Sequence, residues 1–419
     1  MIYQLLRSYA HIGIKFFYKK IFINTGKIDI DKPLIIASNH PNGFYESLIL
    51  TTLVKKPVYF LVRADYVNIK GLKWLFKIIK LYPVYRQSEG LKDVNKNKEI
   101  FENLNQKLKK NAYVGIYPEG TTKFQYHIPA IKKGVARLAT GAVASGVDDL
   151  KIYPVGFNFN APHKFRSYLN VNFGSLIDVE PDEGQDIQSP AYIRRLTAEV
   201  RKGMQSVAYH FEKREREKFF ALLLEIIINE YQDRNAKTYI YNNNMPVITK
   251  SFSVKLDSLP EDQYQKLKSE TFEYFAILDK SGIDDCTVTK GEPDMMSGVK
   301  YYLGLLLFIP LLAVNILPVL PGIYLYKRVV KQLEYKAVIT VLATQLLYVF
   351  YLLIIFIILA ILYGYFAFIV LILPIMAIFV LKYYDFVKEY ISAVRFKKLS
   401  NKAIIKKRRR EIIKKLNNI

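Results

Sequence analysis

A chain of 419 residues with 61 Lys and Arg against 37 Asp and Glu carries a net charge of +24, yet 51% of it is hydrophobic. That pairing argues against an ordinary soluble enzyme and for a protein held against an anionic surface, either lipid headgroups or nucleic acid. Cys286 is the only cysteine, which excludes a disulfide framework and a cysteine-built metal site and fits a reducing, intracellular compartment.

Residues 1–30 open the chain without the unbroken apolar core of a cleavable signal. Arg7, Lys15, Lys19 and Lys20 are interleaved with Ile12, Ile14, Phe16, Phe17, Ile21 and Phe22. The pattern predicts a basic amphipathic helix, either lying on a membrane surface or packed on its own domain. From 31 to 185 short apolar runs alternate with helical patterns. Strands are predicted at 34–37, 58–62, 82–85, 113–117, 152–157 and 169–173, and helices at 46–54, 72–79, 94–109 and 131–144. Such alternation predicts an α/β fold, a mainly parallel sheet flanked by helices, with ligands beyond the carboxyl ends of the strands. His40, Arg86 and Glu119 each fall just after a predicted strand.

Residues 186–300 read as an accessory, mainly helical segment. Apolar runs follow that suit a hydrocarbon core about 30 Å thick. The first, 301–326, is interrupted by Pro310, Pro318 and Pro321 and predicts a re-entrant membrane segment; the second, 337–382, predicts a two-helix membrane hairpin turning at Gly364. The connector with Lys327, Arg328, Lys331 and Lys336, and a basic tail over 383–419, place the large domain on the cytoplasmic side of the cell (inner) membrane by the positive-inside rule. A basic cluster directly after a membrane segment favours anionic lipid over nucleic acid as the partner.

The chemistry concentrates in Asn39-His40-Pro41-Asn42-Gly43-Phe44-Tyr45-Glu46. A histidine delivered from a strand end, with a carboxylate one short turn later, suits a general base and its orienting partner. A lone turn histidine satisfying local hydrogen bonds is the competing reading, so the remaining motifs decide.

Those motifs are Tyr82-Pro83-Val84-Tyr85-Arg86, Tyr117-Pro118-Glu119-Gly120-Thr121-Thr122 and Tyr153-Pro154-Val155-Gly156. With the His40 stretch, in this order and spacing, they resemble the glycerol-3-phosphate/1-acylglycerol-3-phosphate acyltransferase superfamily, and its yeast-type glycerol-3-phosphate/dihydroxyacetone-phosphate acyltransferase branch in particular. The likeness covers roughly residues 34–179. The usual family pattern has Asp after four intervening residues; here Tyr45 stands there and the acid is Glu46, whose extra methylene extends its reach to the imidazole.

The resemblance implies O-acyl transfer from acyl-CoA or acyl-carrier protein, as co-substrate rather than cofactor, to glycerol 3-phosphate or its monoacyl derivative in phospholipid synthesis. Dihydroxyacetone phosphate or an aminolipid is the alternative acceptor, and a lipid-binding membrane protein the non-enzymatic alternative. His40 and Glu46 are then the catalytic pair. Asn39, Arg86, Glu119, Gly120, Thr121 and Thr122 are expected to bind substrate. Arg86 offers a planar fork of donors to phosphate, and the 119–122 turn offers backbone N–H groups and hydroxyls. Glu119 either binds an acceptor hydroxyl, anchors Arg86 or caps its turn. No metal is implied, and no metal-ligand pattern is visible in the sequence.

Overall fold

Leu34-Ile35-Ile36-Ala37-Ser38 is buried along its whole length, as a strand covered on both faces of a sheet must be. In the computed structural model, which describes residues 2–24, 30–67, 71, 73–85, 96–181, 184, 186–231, 240–242 and 244–419, this strand lies at the centre of a mixed sheet. The strands are β1 (Lys20–Ile23), β2 (Leu34–Ser38), β3 (Val58–Arg63), β4 (Leu81–Val84), β5 (Tyr113–Ile116), β6 (Lys151–Phe159), β7 (Tyr168–Phe173), β8 (Ile177–Asp178) and β9 (Ile240–Asn242). Their order is β4-β3-β5-β2-β6-β7-β1-β9, with β8 paired to β6. Among the described residues only the pairings of β6 with β7 and β8 are antiparallel. The fold class is therefore the α/β arrangement read from the sequence, a mostly parallel sheet with flanking helices.

The two neighbours of β2 are β5 and β6, both parallel to it. The loops leaving β2 and β5 thus emerge side by side at one sheet edge, which brings His40 and Glu119 together. Below that edge, Ile35, Val114 and Ile152 pack with Leu104, Leu138 and Val200 from the covering helices. Each such fully buried aliphatic side chain contributes about 1.5–3 kcal/mol.

The first helix, Ile2–Phe17, buries Gly13, Ile14 and Phe17, while Leu5 and Ile12 remain exposed. It stops earlier than the sequence pattern predicts, because Lys20–Ile23 joins the sheet between β7 and β9. Arg166 locks this junction: its backbone N–H donates to Phe17 O (2.7 Å) and its guanidinium to Tyr18 O (3.0 Å). The accessory segment read as mainly helical over 186–300 opens with two helices, Pro190–Val207 and Glu217–Tyr231. Between them the amides of Asn158 and Asn172 both donate to Val207 O, and Asn158 Oδ1 accepts from the Tyr209 N–H. Side chains of the sheet thereby replace the helix's own hydrogen bonds.

Contacts divide the chain into two units. One holds residues 2–214, 237–250 and 333–335 among those described; the other holds 215–236, 251–332 and 336–419. Within the second, Met295–Val329 and Leu333–Lys398 contain segments long and apolar enough to cross a membrane. Side chains such as Leu306, Ile361 and Phe366 point outward there, which is costly in water and ordinary in lipid. The helix Met295–Ile316 meets its neighbours through Tyr383 OH donating to Tyr301 O and Tyr348 OH donating to Asn315 Oδ1. The basic tail is a helix, Lys402–Asn418, and several of its cations face the protein instead of solvent. Arg409, nearly buried, pairs with Asp285 and Glu230, while Arg408 meets Glu273.

Candidate active site

His40 leaves the end of β2 with its imidazole only 17% exposed. Its Nδ1 lies 3.3 Å from Glu46 Oε2, close enough for an ion-pair contact though off the hydrogen-bond axis. The ring stacks on Tyr117, centroids 4.0 Å apart and planes 15° from parallel. Tyr117 is itself anchored by Ser47 Oγ at 2.6 Å. A carboxylate at one edge and a phenol across one face fix the imidazole's orientation. The negative carboxylate beside Nδ1 favours the tautomer protonated there, which leaves Nε2 as the basic nitrogen.

The helix Tyr45–Leu53 begins within this motif, so Glu46 lies in its first turn, with its side chain fully buried. Glu46 Oε1 accepts from the Asn42 N–H in a short hydrogen bond, closing the turn. Asn42 in turn donates to Tyr18 OH (2.7 Å), tying the turn to the N-terminal segment. Burial pushes the Glu46 carboxyl up, against the pull of His40 and the Asn42 N–H. Gly43 completes the reversal at φ +60°, in the left-handed region that favours glycine. The extra residue between His40 and the acid is thus absorbed in the turn, and the longer glutamate bridges the gap.

Asn39 lines the recess beside His40, and its side chain also serves the sheet. Its amide donates to Phe157 O (2.9 Å), and its Oδ1 accepts from the Phe157 N–H (2.7 Å). Both ends of the side chain are spent clamping β2 to β6, so Asn39 positions the histidine-bearing turn.

On the neighbouring strand end, Glu119 is 7% exposed. Burial, reinforced by the nearby Glu46 carboxylate, pushes its carboxyl up to about 8. Near neutral pH Glu119 is therefore mainly a protonated acid, suited to donating a hydrogen bond to an acceptor oxygen. Stability should follow. The folded value of about 8 lies above the ordinary 4.5, so Glu119 contributes most below pH 4.5 and loses that contribution as pH rises through 8. Wild-type melting temperature should fall over this window relative to Glu119→Gln, by the equivalent of roughly a few kcal/mol. Parallel pH–melting curves for the two proteins would contradict the assignment.

In and just after the turn that follows Glu119, several backbone N–H groups are already engaged. Gly120, at φ +67°, donates its N–H to Tyr117 O (3.0 Å), and Lys123 N–H donates to His40 O (3.2 Å). Phe124 N–H goes to Glu334 Oε1 at 3.1 Å. Lysines add positive charge here. Lys132 Nζ sits over Gly120, 2.8 Å from where a Cβ would stand, so any side chain at 120 would displace it. Lys123 lines a recess with His40, Glu119, Gln125 and His127. Thr121 is exposed, and Thr122 faces Tyr335.

Arg86 lies outside the described residues. Tyr85 before it is held by Asn97, whose amide accepts from Tyr85 N–H and donates to Tyr85 O. From sequence alone Lys123 reads as solvated basic surface and His127 as a surface or loop residue, and Lys132 carries no signal at all. For 123–127 a signal does exist. Lys123, Gln125 and His127 alternate with Phe124, Tyr126 and Ile128, the period of an extended segment with one wet and one packed side. His127 Nδ1 lies 2.9 Å from Phe211 O and its ring lies against His210, so part of its role is structural. Among the described residues no group of three or more His, Cys, Asp or Glu is placed to hold a metal ion.

Comparison with known proteins bears on the same stretch. Residues 20–158 match the family model described as Acyltransferase. The chain is 32% identical over 113 residues to glycerol-3-phosphate O-acyltransferase 1 of Saccharomyces cerevisiae, covering 26% of this chain and 15% of that protein. It is 33% identical over 90 residues to glycerol-3-phosphate O-acyltransferase 2 of the same yeast, covering 21% and 12%. The crystal structure of the 1-acyl-sn-glycerophosphate (LPA) acyltransferase PlsC from Thermotoga maritima aligns with 49% of this chain and 78% of its own, at 16% identity and a TM-score of 0.36. The chain thus spans no more than 15% of the length of these yeast relatives.

Proposed function

With residues 20–158 carrying an Acyltransferase-family domain, we propose that the chain is a membrane-bound O-acyltransferase. It moves a fatty acyl group from an acyl thioester to glycerol 3-phosphate or its monoacyl derivative. The observation that carries this reading is the His40–Glu46 contact at the end of β2, beside a recess with Lys123 at its edge. His40 Nε2 takes the acceptor hydroxyl's proton while Glu46 supports the developing imidazolium. The acceptor oxygen bonds to the thioester carbonyl carbon, the C–S bond breaks, and the imidazolium returns its proton to the departing thiolate. Protonated Glu119 donates to an acceptor oxygen. Lys123, Lys132 and Arg86 supply the positive charge a phosphate requires. The outward apolar surface of the C-terminal helices keeps the enzyme in the cytoplasmic membrane where a lipid product belongs.

An acceptor panel with purified protein and a labelled acyl thioester tests this. Glycerol 3-phosphate or its monoacyl ester should outcompete unphosphorylated glycerol by at least about a hundredfold in kcat/KM, since lost charge-assisted hydrogen bonds each cost about 1.5–3 kcal/mol. Equal rates with and without phosphate would overturn the acceptor assignment. Dihydroxyacetone phosphate and an aminolipid complete the panel and identify a different acceptor directly.

A further inference from the structure

Three residues distant in sequence complete the unit that holds the candidate site. Leu333, Glu334 and Tyr335 belong to it, although residues 332 and 336 do not. Their contacts fall on both functional loops. Glu334 Oε1 accepts the Phe124 N–H at 3.1 Å, on the loop that carries Glu119 and Lys123. The Tyr335 ring and the Glu334 carbonyl cover Gly43, 2.9 and 3.0 Å from where its Cβ would be, on the turn that carries His40 and Glu46. The Tyr335 hydroxyl faces Thr122 and Tyr66. One short segment therefore touches the base-bearing turn and the acceptor-side loop together. Gly43 meets a double requirement: its positive φ and the ring above it each exclude a side chain.

The geometry points to Glu334 and Tyr335 as positioning residues that hold these two loops in register. They act through Gly43, Thr122 and Phe124, and touch no reacting atom themselves. The catalytic part of this inference rests on the acyltransferase reading above; the positional part does not. Errors of about 1 Å in the placement of a base relative to its substrate cost on the order of a hundredfold in rate. A clamp between the loops accordingly has a measurable kinetic consequence.

The test uses the full-length protein and four variants: Glu334→Ala, Glu334→Gln, Tyr335→Ala and Tyr335→Phe. Amide hydrogen exchange is read on peptides covering 40–46 and 120–126, with kcat and KM measured for the acceptor. Glu334→Ala should speed exchange at Phe124 by about fivefold, the equivalent of one lost hydrogen bond. Tyr335→Ala should speed exchange in the 40–46 turn. Both should lower kcat by tenfold or more on the same positioning argument, with a smaller change in acceptor KM. Glu334→Gln retains the acceptor oxygen and Tyr335→Phe retains the ring, so both should recover most of the loss. Unchanged exchange in both alanine variants would overturn the clamp. Faster exchange with wild-type kcat would overturn its catalytic role. If the protein transfers no acyl group to any acceptor, the exchange measurements still decide whether the clamp exists, separately from the function assigned above.

Discussion

Replacing His40 by alanine should lower kcat by about a thousandfold, within the range of 10²–10⁴ typical of a lost general base. The loss should be chemical and not structural. The backbone of residue 40 keeps its hydrogen bond from Lys123, and Asn39 still clamps β2 to β6. The stack on Tyr117 is lost, but Tyr117 stays pinned to Ser47. Melting temperature should therefore change little, and acceptor KM should stay within a few fold because the phosphate meets other residues. A variant retaining a tenth or more of wild-type kcat would exclude His40 as the base.

Glu46 offers the second large effect, and three substitutions separate its roles. Alanine removes the carboxylate beside His40 and orphans the buried Asn42 N–H. Activity should fall by about 10²-fold or more, and stability by about 1–3 kcal/mol. Glutamine fills the same volume and keeps an oxygen for Asn42, but it turns an amide N–H toward His40 Nδ1. That favours the opposite tautomer and deprives Nε2 of its lone pair. Glutamine should thus melt near wild type while losing as much activity as alanine. Aspartate withdraws the carboxylate by one methylene but keeps its charge, and should be the least inactive of the three. Equal activity in the aspartate and alanine variants would argue that Glu46 serves the turn alone.

Much of this site was legible in the sequence because its signals are local. The apolar run of β2, the reversal at 41–43 and the acid at 46 lie within one short stretch, and the predicted strands fall within about two residues of those observed. The elements that were not legible depend on distant partners. Lys20–Ile23 reads as a continuation of an amphipathic helix, and only its pairing with β7 and β9 makes it a strand. No pattern near Asn39 reveals that its amide reaches Phe157, nor does Glu334 announce a bond to Phe124. The basic tail is a related case. Within the run read as lipid-facing, Arg408, Arg409 and Lys415 find partners in Glu273, Asp285, Glu230 and Glu270 of their own unit, while Lys406, Lys407, Arg410 and Lys414 stay exposed. Charge counts carry over from sequence; charge partners do not.

The Glu46 spacing is the point where sequence and structure meet most usefully. A pattern that places the acid one residue late still brings carboxylate and imidazole together, because Gly43 and the Asn42 N–H shape the turn around the longer side chain. What this pair does to an acceptor hydroxyl therefore decides the proposed mechanism. The most direct measurement incubates wild-type and His40→Ala protein with an acyl thioester and glycerol 3-phosphate, and quantifies free thiol and acylated product together by mass spectrometry. Wild type should form one ester per thiol released, and the variant should lose both. Thiol release without ester, or undiminished ester formation by His40→Ala, would contradict that mechanism.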